Sequence, residues 1–179
     1  MKSLRRIFLT GLLAMGPILV SAHPDSSDAA SLGTQVVVIG GRVQHSLTLS
    51  PQALAEFPVQ TPPEIPIRDR DGKTIRILKA YAGVKLVDLL DKAAFVVNDH
   101  NDLKKTLIVA IASDGYKVIF SWSELYNTSV GNGVLVLYAK DGKPLGEDEG
   151  RIALISVNDL HTGARHVRWL KTLQILNID

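Results

Sequence analysis

Three Asp-Gly steps, Asp71-Gly72, Asp114-Gly115 and Asp141-Gly142, punctuate this chain. Such a step suits a tight reversal, because glycine takes a positive φ freely and aspartate bonds its own turn. Runs of apolar and β-branched residues lie beside them: 65–70 and 74–79 around the first, 106–112 and 116–120 around the second, 134–139 before the third. The pattern predicts a β-rich domain built on hairpins. Residues 34–39, 42–49, 152–157 and 172–178 read as further strands, with Gly40-Gly41 as a turn. The continuous apolar run 106–112 reads as a buried strand. Helices are short. Ser50-Pro51 opens one and Phe57-Pro58 stops it. Leu86, Leu89, Leu90 and Ala93 recur at helical spacing, which predicts a helix over 84–94 after Gly83. Ser121-x-x-Glu124 is a capping box that opens a third. The order predicts an α+β fold: a mixed β-sheet, barrel-like core with short helices.

The N-terminus reads as a separate element. Lys2, Arg5 and Arg6 form a basic region, residues 7–20 an apolar one, and Val20-Ser21-Ala22 a small-residue cleavage site. This predicts a signal peptide over 1–22, a flexible leader over 23–33 and one domain over 34–179, exported to the periplasm. Without residues 1–22 the chain holds 17 basic and 18 acidic residues, a formal net of −1. That balance gives no case for nucleic acid or for an anionic membrane. The sequence contains no cysteine. A thiol nucleophile, a thiolate metal ligand and a redox pair are therefore all excluded.

Few residues group as candidates for chemistry. No G-x-S-x-G, G-x-G-x-x-G, Walker or H-E-x-x-H pattern occurs. Of five histidines only His161 and His166 lie close together; His45, in an alternating strand, and His100, in a polar loop, read as surface or packed residues. His23, as a mature N-terminal residue, could chelate a metal through its amine and ring. The acidic run Glu147-Asp148-Glu149 reads as a solvated loop.

The densest stretch is Gly163-Ala164-Arg165-His166-Val167-Arg168-Trp169-Leu170, with Asp159 and His161 just before it. Val167 and Leu170 are spaced to point inward from one helical turn, leaving Arg165, His166 and Arg168 to line a rim. Gly163 would let the backbone approach a ligand closely. Arginine forks and an indole face suit an anionic or flat heteroaromatic ligand. A basic surface turn carrying a half-buried tryptophan fits the same residues.

Five segments in order resemble the molybdopterin-binding domain of the sulfite oxidase superfamily. They are Leu47-Thr48-Leu49-Ser50-Pro51, Tyr81-Ala82-Gly83-Val84-Lys85-Leu86, Ser113-Asp114-Gly115-Tyr116, residues 134–145 and the 163–170 stretch. The resemblance spans nearly all of 34–179. It implies that the positions of His166, Val167, Arg168 and Asp114 contact a pterin cofactor. Two departures accompany it: no cysteine stands where the family ligates molybdenum, and Glu149 and Leu154 occupy positions that hold His and Arg in sulfite oxidases. The metal side looks dismantled and the pterin side retained, as in small exported members of the fold. Some of these are pterin-binding regulators of a membrane-bound enzyme of cyclic-di-GMP turnover.

The resemblance thus implies a periplasmic pterin-binding protein, a non-enzymatic sensor or adaptor signalling to such a partner, with no nucleic acid involved. The cofactor is a pterin, molybdopterin among the options, with no molybdenum expected. Asp114 or Asp159 would pair with the donor edge of the ring. Arg165 and Arg168 would serve its carbonyl or side chain, with His161 and His166 beside them. Trp122 or Trp169 would supply a stacking face. Two rivals stay open: a molybdopterin-dependent oxidoreductase lacking the usual cysteine ligand, and an exported structural domain with a vestigial pocket.

Overall fold

The computed structural model describes residues 34–178. The expected signal peptide and leader, 1–22 and 23–33, lie outside the described residues. Among the described residues, thirteen strands and three α-helices follow in order. The strands are β1 (Val37–Gly41), β2 (Leu47–Leu49), β3 (Val59–Gln60), β4 (Glu64–Arg68), β5 (Thr74–Lys79), β6 (Tyr81–Lys85), β7 (Thr106–Ala112), β8 (Lys117–Ser121), β9 (Val134–Lys140), β10 (Lys143–Pro144), β11 (Ala153–Ser156), β12 (His166–Val167) and β13 (Leu170–Asn177). The helices are α1 (Pro51–Leu54), α2 (Leu86–Ala93) and α3 (Trp122–Asn127).

The fold is α+β, and its sheets do not close into a barrel. One sheet runs β2-β1-β13-β7-β8, with β1 and β13 parallel. A second runs β12-β11-β9-β6-β3, with β10 hydrogen-bonded to β9. The hairpin β4–β5 stands apart as a third layer. The larger core lies between the first two sheets, around Ile39, Leu90, Phe120, Val136, Leu154 and Leu173. A smaller one lies between the second sheet and the hairpin, around Ile65, Ile67, Leu78, Leu137 and Ile155.

Strand periodicity explains the two cores. In β9, Val134 and Val136 face the larger core, while Leu135 and Leu137 face the smaller. Alternate residues point to opposite faces, so β9 reads as an unbroken apolar run because both its faces are covered. The 106–112 run is different: Thr106, Ile108, Ala110 and Ala112 are buried, and Leu107, Val109 and Ile111 lie half-buried on the outer face.

Local signals placed most elements. Ser50 Oγ accepts from Ala53 N at 3.3 Å and caps α1. Asp69 Oδ1 accepts from Asp71 N and Lys73 N, both at 3.0 Å, and sets the hairpin turn. Leu86, Leu89, Leu90 and Ala93 are fully buried on one face of α2. Burying each leucine there contributes about 1.5–3 kcal/mol.

Two expectations failed on glycines. Gly40-Gly41 is no turn: β1 runs through both and pairs in parallel with Gln174 and Ile175. Gly41 has φ +95°, and a Cβ there would lie 2.2 Å from the Ile175 carbonyl oxygen. The predicted helix over 84–94 begins only at Leu86, because Gly83 and Val84 belong to β6. A Cβ at Gly83 would lie 2.7 Å from the Val136 carbonyl oxygen, so close strand pairing selects this glycine.

Candidate functional site

The 163–170 stretch is not a helical turn. Thr162–Arg165 is one 3-10 turn, His166–Val167 is β12, and Leu170 begins β13. Val167 and Leu170 are both fully buried, as expected, but by strand pairing, to Leu154 and Ala112. The chain crosses from one sheet to the other between them. Trp169 makes the corner at φ +51°, a left-handed conformation rare for a bulky side chain. Its amide donates to the Glu149 carbonyl at 2.9 Å, its carbonyl accepts from Ser113 N at 3.0 Å, and its indole N–H donates to the Glu147 carbonyl at 2.8 Å. Gly150 makes room, since a Cβ there would sit 2.7 Å from Trp169 Cδ1. Gly163 serves close approach to the hairpin: a Cβ would lie 2.7 Å from the Arg68 carbonyl oxygen.

Asp114, Tyr116, His166, Arg168 and Trp169 line one depression of about 200 Å³. The β7–β8 turn supplies the first two and the sheet-to-sheet corner the rest. Asp114 Oδ1 accepts from Tyr116 N at 2.9 Å, which holds the turn. The Arg168 guanidinium lies 4.5 Å over the Trp169 ring and donates to the Asp148 carbonyl at 3.3 Å. Here a carboxylate, a guanidinium, a phenol and an indole converge at the surface.

Behind the depression runs a buried ionic relay. His166 Nε2 lies 2.8 Å from Glu149 Oε2, with side chains 7% and 2% exposed. Glu149 Oε1 accepts from Arg76 of β5 at 2.5 Å. Burial opposes ionisation of Glu149, but the His166 hydrogen bond and the Arg76 charge outweigh it and hold its pKa below the ordinary value. An ionised Glu149 only accepts, so His166 carries a proton on Nε2. Burial, then the Glu149 charge, push the Tyr81 phenol up to about 12. The acidic run 147–149 is thus not wholly solvated: Glu149 is buried with partners from two distant strands.

Glu124, Asp159, His161, Ala164 and Arg165 line a second, open cleft of about 600 Å³. Arg165 donates from Nε and Nη2 to Asp159, both at 2.6 Å, and from Nη1 to Glu124 at 2.8 Å. Its guanidinium lies 4.5 Å over the Phe120 ring. Burial weakens its charge, but these carboxylates more than restore it and raise its pKa. The expected free rim of Arg165, His166 and Arg168 is therefore reduced to Arg168, because internal carboxylates hold the other two. The capping box at Ser121 is half-made for the same reason: Ser121 Oγ caps Glu124 N at 3.0 Å, while the Glu124 carboxylate turns to Arg165.

The eight residues expected at the site thus fall into groups. Asp114, His166, Arg168 and Trp169 share the smaller depression. Asp159, His161 and Arg165 share the larger cleft. The Tyr116 hydroxyl, bonded to the Ala164 carbonyl at 2.7 Å, links one to the other. His161 Nδ1 donates to the Asp69 carbonyl at 2.9 Å and tethers its loop to the hairpin. Trp122 lines neither and stacks on Tyr126 with centroids 5.1 Å apart. Sequence reasoning missed Tyr116, Glu124 and Glu149 as site residues. Tyr116 follows Asp114 by two and the capping box marked Glu124, while Glu149 was marked only as a departure from the family pattern, with nothing to foretell its burial. Among the described residues no three of His, Cys, Asp and Glu gather as a metal site.

No family model matches the sequence, and no curated protein matches it. Among solved structures the chain is similar to the sulfane dehydrogenase SoxCD from Paracoccus pantotrophus, with a TM-score of 0.60 and 18% identity. The match covers 80% of this chain and 38% of that one. At that identity the likeness is one of fold, and this chain spans well under half of its neighbour's length.

Proposed function

We propose that this chain is a pterin-binding protein acting by recognition, a periplasmic sensor or adaptor that reports to a membrane-bound partner in cyclic-di-GMP signalling. The fold likeness to a sulfane dehydrogenase supports the sulfite oxidase-type resemblance at its coarsest level. The observation that carries the reading is the convergence of Asp114, Tyr116, Arg168 and Trp169 on one small depression. A pterin presents N–H donors beside a carbonyl on one edge and a flat face. The donor set fits: Asp114 would accept from the edge, Arg168 would donate to the carbonyl, and Tyr116 or Trp169 would cover the face. His166 borders the pocket with Nε2 engaged by Glu149. Recognition is favoured over oxidoreduction because the sequence offers no thiolate for molybdenum.

The test is calorimetric titration of ligand-free protein with oxidised and reduced pterins. Asp114→Asn and Arg168→Ala each remove charge-assisted bonds, so affinity should fall about 10- to 150-fold, equivalent to about 1.5–3 kcal/mol. Lys143→Ala, on β10, should bind like wild type. Wild-type affinity in both site variants, with folding intact, would place the ligand elsewhere. Export is tested separately: N-terminal sequencing of secreted protein should begin at His23.

A further inference from the structure

Three successive carbonyls hold the corner that bounds the ligand depression. Glu147 accepts from the Trp169 indole, Asp148 from the Arg168 guanidinium and Glu149 from the Trp169 amide. All three belong to the loop 146–150, which is folded on itself. Glu149 N donates to the Gly146 carbonyl and Gly150 N to the Glu147 carbonyl, both at 3.2 Å. The loop therefore moves as one piece. It reaches further through the Glu149 side chain, where Oε2 meets His166 and Oε1 meets Arg76 of β5. Arg76 does not line the depression. One carboxylate, 2% exposed, connects it to the residues that do.

The β4 side of the hairpin is tied as well. Thr162 Oγ1 binds the Pro66 carbonyl and the Arg68 amide, and the His161 ring binds the Asp69 carbonyl. Two residues past Thr162, the Ala164 carbonyl takes the hydroxyl of Tyr116, which lines the depression. Backbone support for the hairpin is thin by comparison. Among the described residues β4 and β5 pair only with each other. A two-stranded ribbon is marginal by itself, so its order depends on these ties and on the smaller core. An element held in this way opens locally before the main sheets do.

We propose that the loop 146–150 is a clasp that couples ligand in the depression to the order of the β4–β5 hairpin, so that the hairpin reports occupancy. The ligand half of this rests on the pterin reading, and the mechanical link does not. A ligand held by Arg168 and Trp169 fixes the corner. The corner fixes the loop, and Glu149 then keeps Arg76 and β5 in place. The coupling is reciprocal: whatever ligand adds to the order of the hairpin, a loosened hairpin takes from ligand affinity. The pair Lys79–Glu64, at 2.6 Å, joins β5 to β4 at the surface and supplies a control on the same hairpin.

Hydrogen exchange read by mass spectrometry tests the clasp on the whole protein, ligand-free and saturated with neopterin in its oxidised or tetrahydro form. Ligand should slow exchange across residues 64–79 of the wild type by about fivefold or more. In Arg76→Ala that protection should vanish and neopterin affinity should fall about fivefold or more, although the side chain lies outside the depression. Arg76→Lys keeps a cation for Glu149 and should recover part of both. Lys79→Ala should match wild type in both. Without any ligand, Arg76→Ala should speed exchange at 146–150 and 166–170, and Lys79→Ala should not. Unchanged hairpin exchange in wild type with neopterin bound, a measurement that needs no variant to fold, overturns the reporting role. Unchanged ligand-free exchange at the corner in Arg76→Ala overturns the clasp itself. Failure of the wild type to bind neopterin in either form would sink the pterin reading and the reporting role together, with the ligand-free comparison still deciding the clasp.

Discussion

Arg165 grips Asp159 through two parallel hydrogen bonds, Nε to Oδ2 and Nη2 to Oδ1, each 2.6 Å long. The same guanidinium reaches Glu124 on α3, so one side chain ties the 159–165 loop to a helix elsewhere in the chain. Arg165→Ala should therefore act on stability more than on ligand affinity. It strands two partly buried carboxylates at a cost of about 2–3 kcal/mol, less than a fully buried pair because solvent reaches a fifth of the arginine. Urea melts measure this. A stability within about 0.5 kcal/mol of wild type would show that the network is ornamental.

Glu149 makes stability pH-dependent with a definite sign. Its folded-state pKa lies below that of the unfolded chain, so on acidification the unfolded state takes up the proton first. The contribution is complete above the ordinary glutamate pKa of about 4.3 and is lost as the pH falls below it. Glu149→Gln should flatten that part of the stability curve. At neutral pH it should lower Tm by about 3–12 °C, from about 1.5–3 kcal/mol for the charged hydrogen bonds. Thermal melts from pH 7 down through the ordinary glutamate pKa of about 4.3 and below decide it.

Trp169 holds its corner at φ +51° in spite of its side chain. Both Trp169→Gly and Trp169→Ala lose the indole bond to Glu147, but only alanine keeps the left-handed penalty. The glycine variant should be the more stable of the two by about 1 kcal/mol, measured by denaturant unfolding. The reverse order would mean that the corner relaxes once the indole is gone.

Two glycines with similar φ should respond differently to alanine. Gly41, at +95°, would put a Cβ 2.2 Å from the Ile175 carbonyl oxygen, whereas Gly72, at +80°, has nothing within 4 Å. Gly72→Ala should cost about 1 kcal/mol of conformational strain. Gly41→Ala adds a clash with the β1–β13 pairing and should cost more than about 3 kcal/mol, enough to lower soluble yield. Comparable melts for the two would rule out the close strand approach.

These cases show what local sequence can and cannot carry. The Asp71-Gly72 hairpin, the Ser50 cap and the apolar face of α2 were legible because each signal sits within a few residues of its consequence. Gly40-Gly41 misled because its reason is Ile175, far along the chain. Glu149 looked like its exposed neighbours because its partners, Arg76 and His166, come from β5 and β12. Asp114 and Arg168 were grouped by the order of several weak motifs, and Trp169 was one of two candidates named for an indole face. The division of the expected site into two depressions depends on which side chain claims which carboxylate, and spacing does not encode that.

The two-faced strand β9 has a consequence for anyone trimming this domain. Residues 64–79 look like a detachable excursion, since they make a sheet of their own beyond the main pair. Yet Leu135, Leu137, Ala153 and Ile155 depend on Ile65, Ile67 and Leu78 for cover. A shortened chain that skips the hairpin would present a flat, water-facing greasy wall and clump. The smallest unit that folds cleanly therefore includes the hairpin, as the lid over the second sheet's outer face.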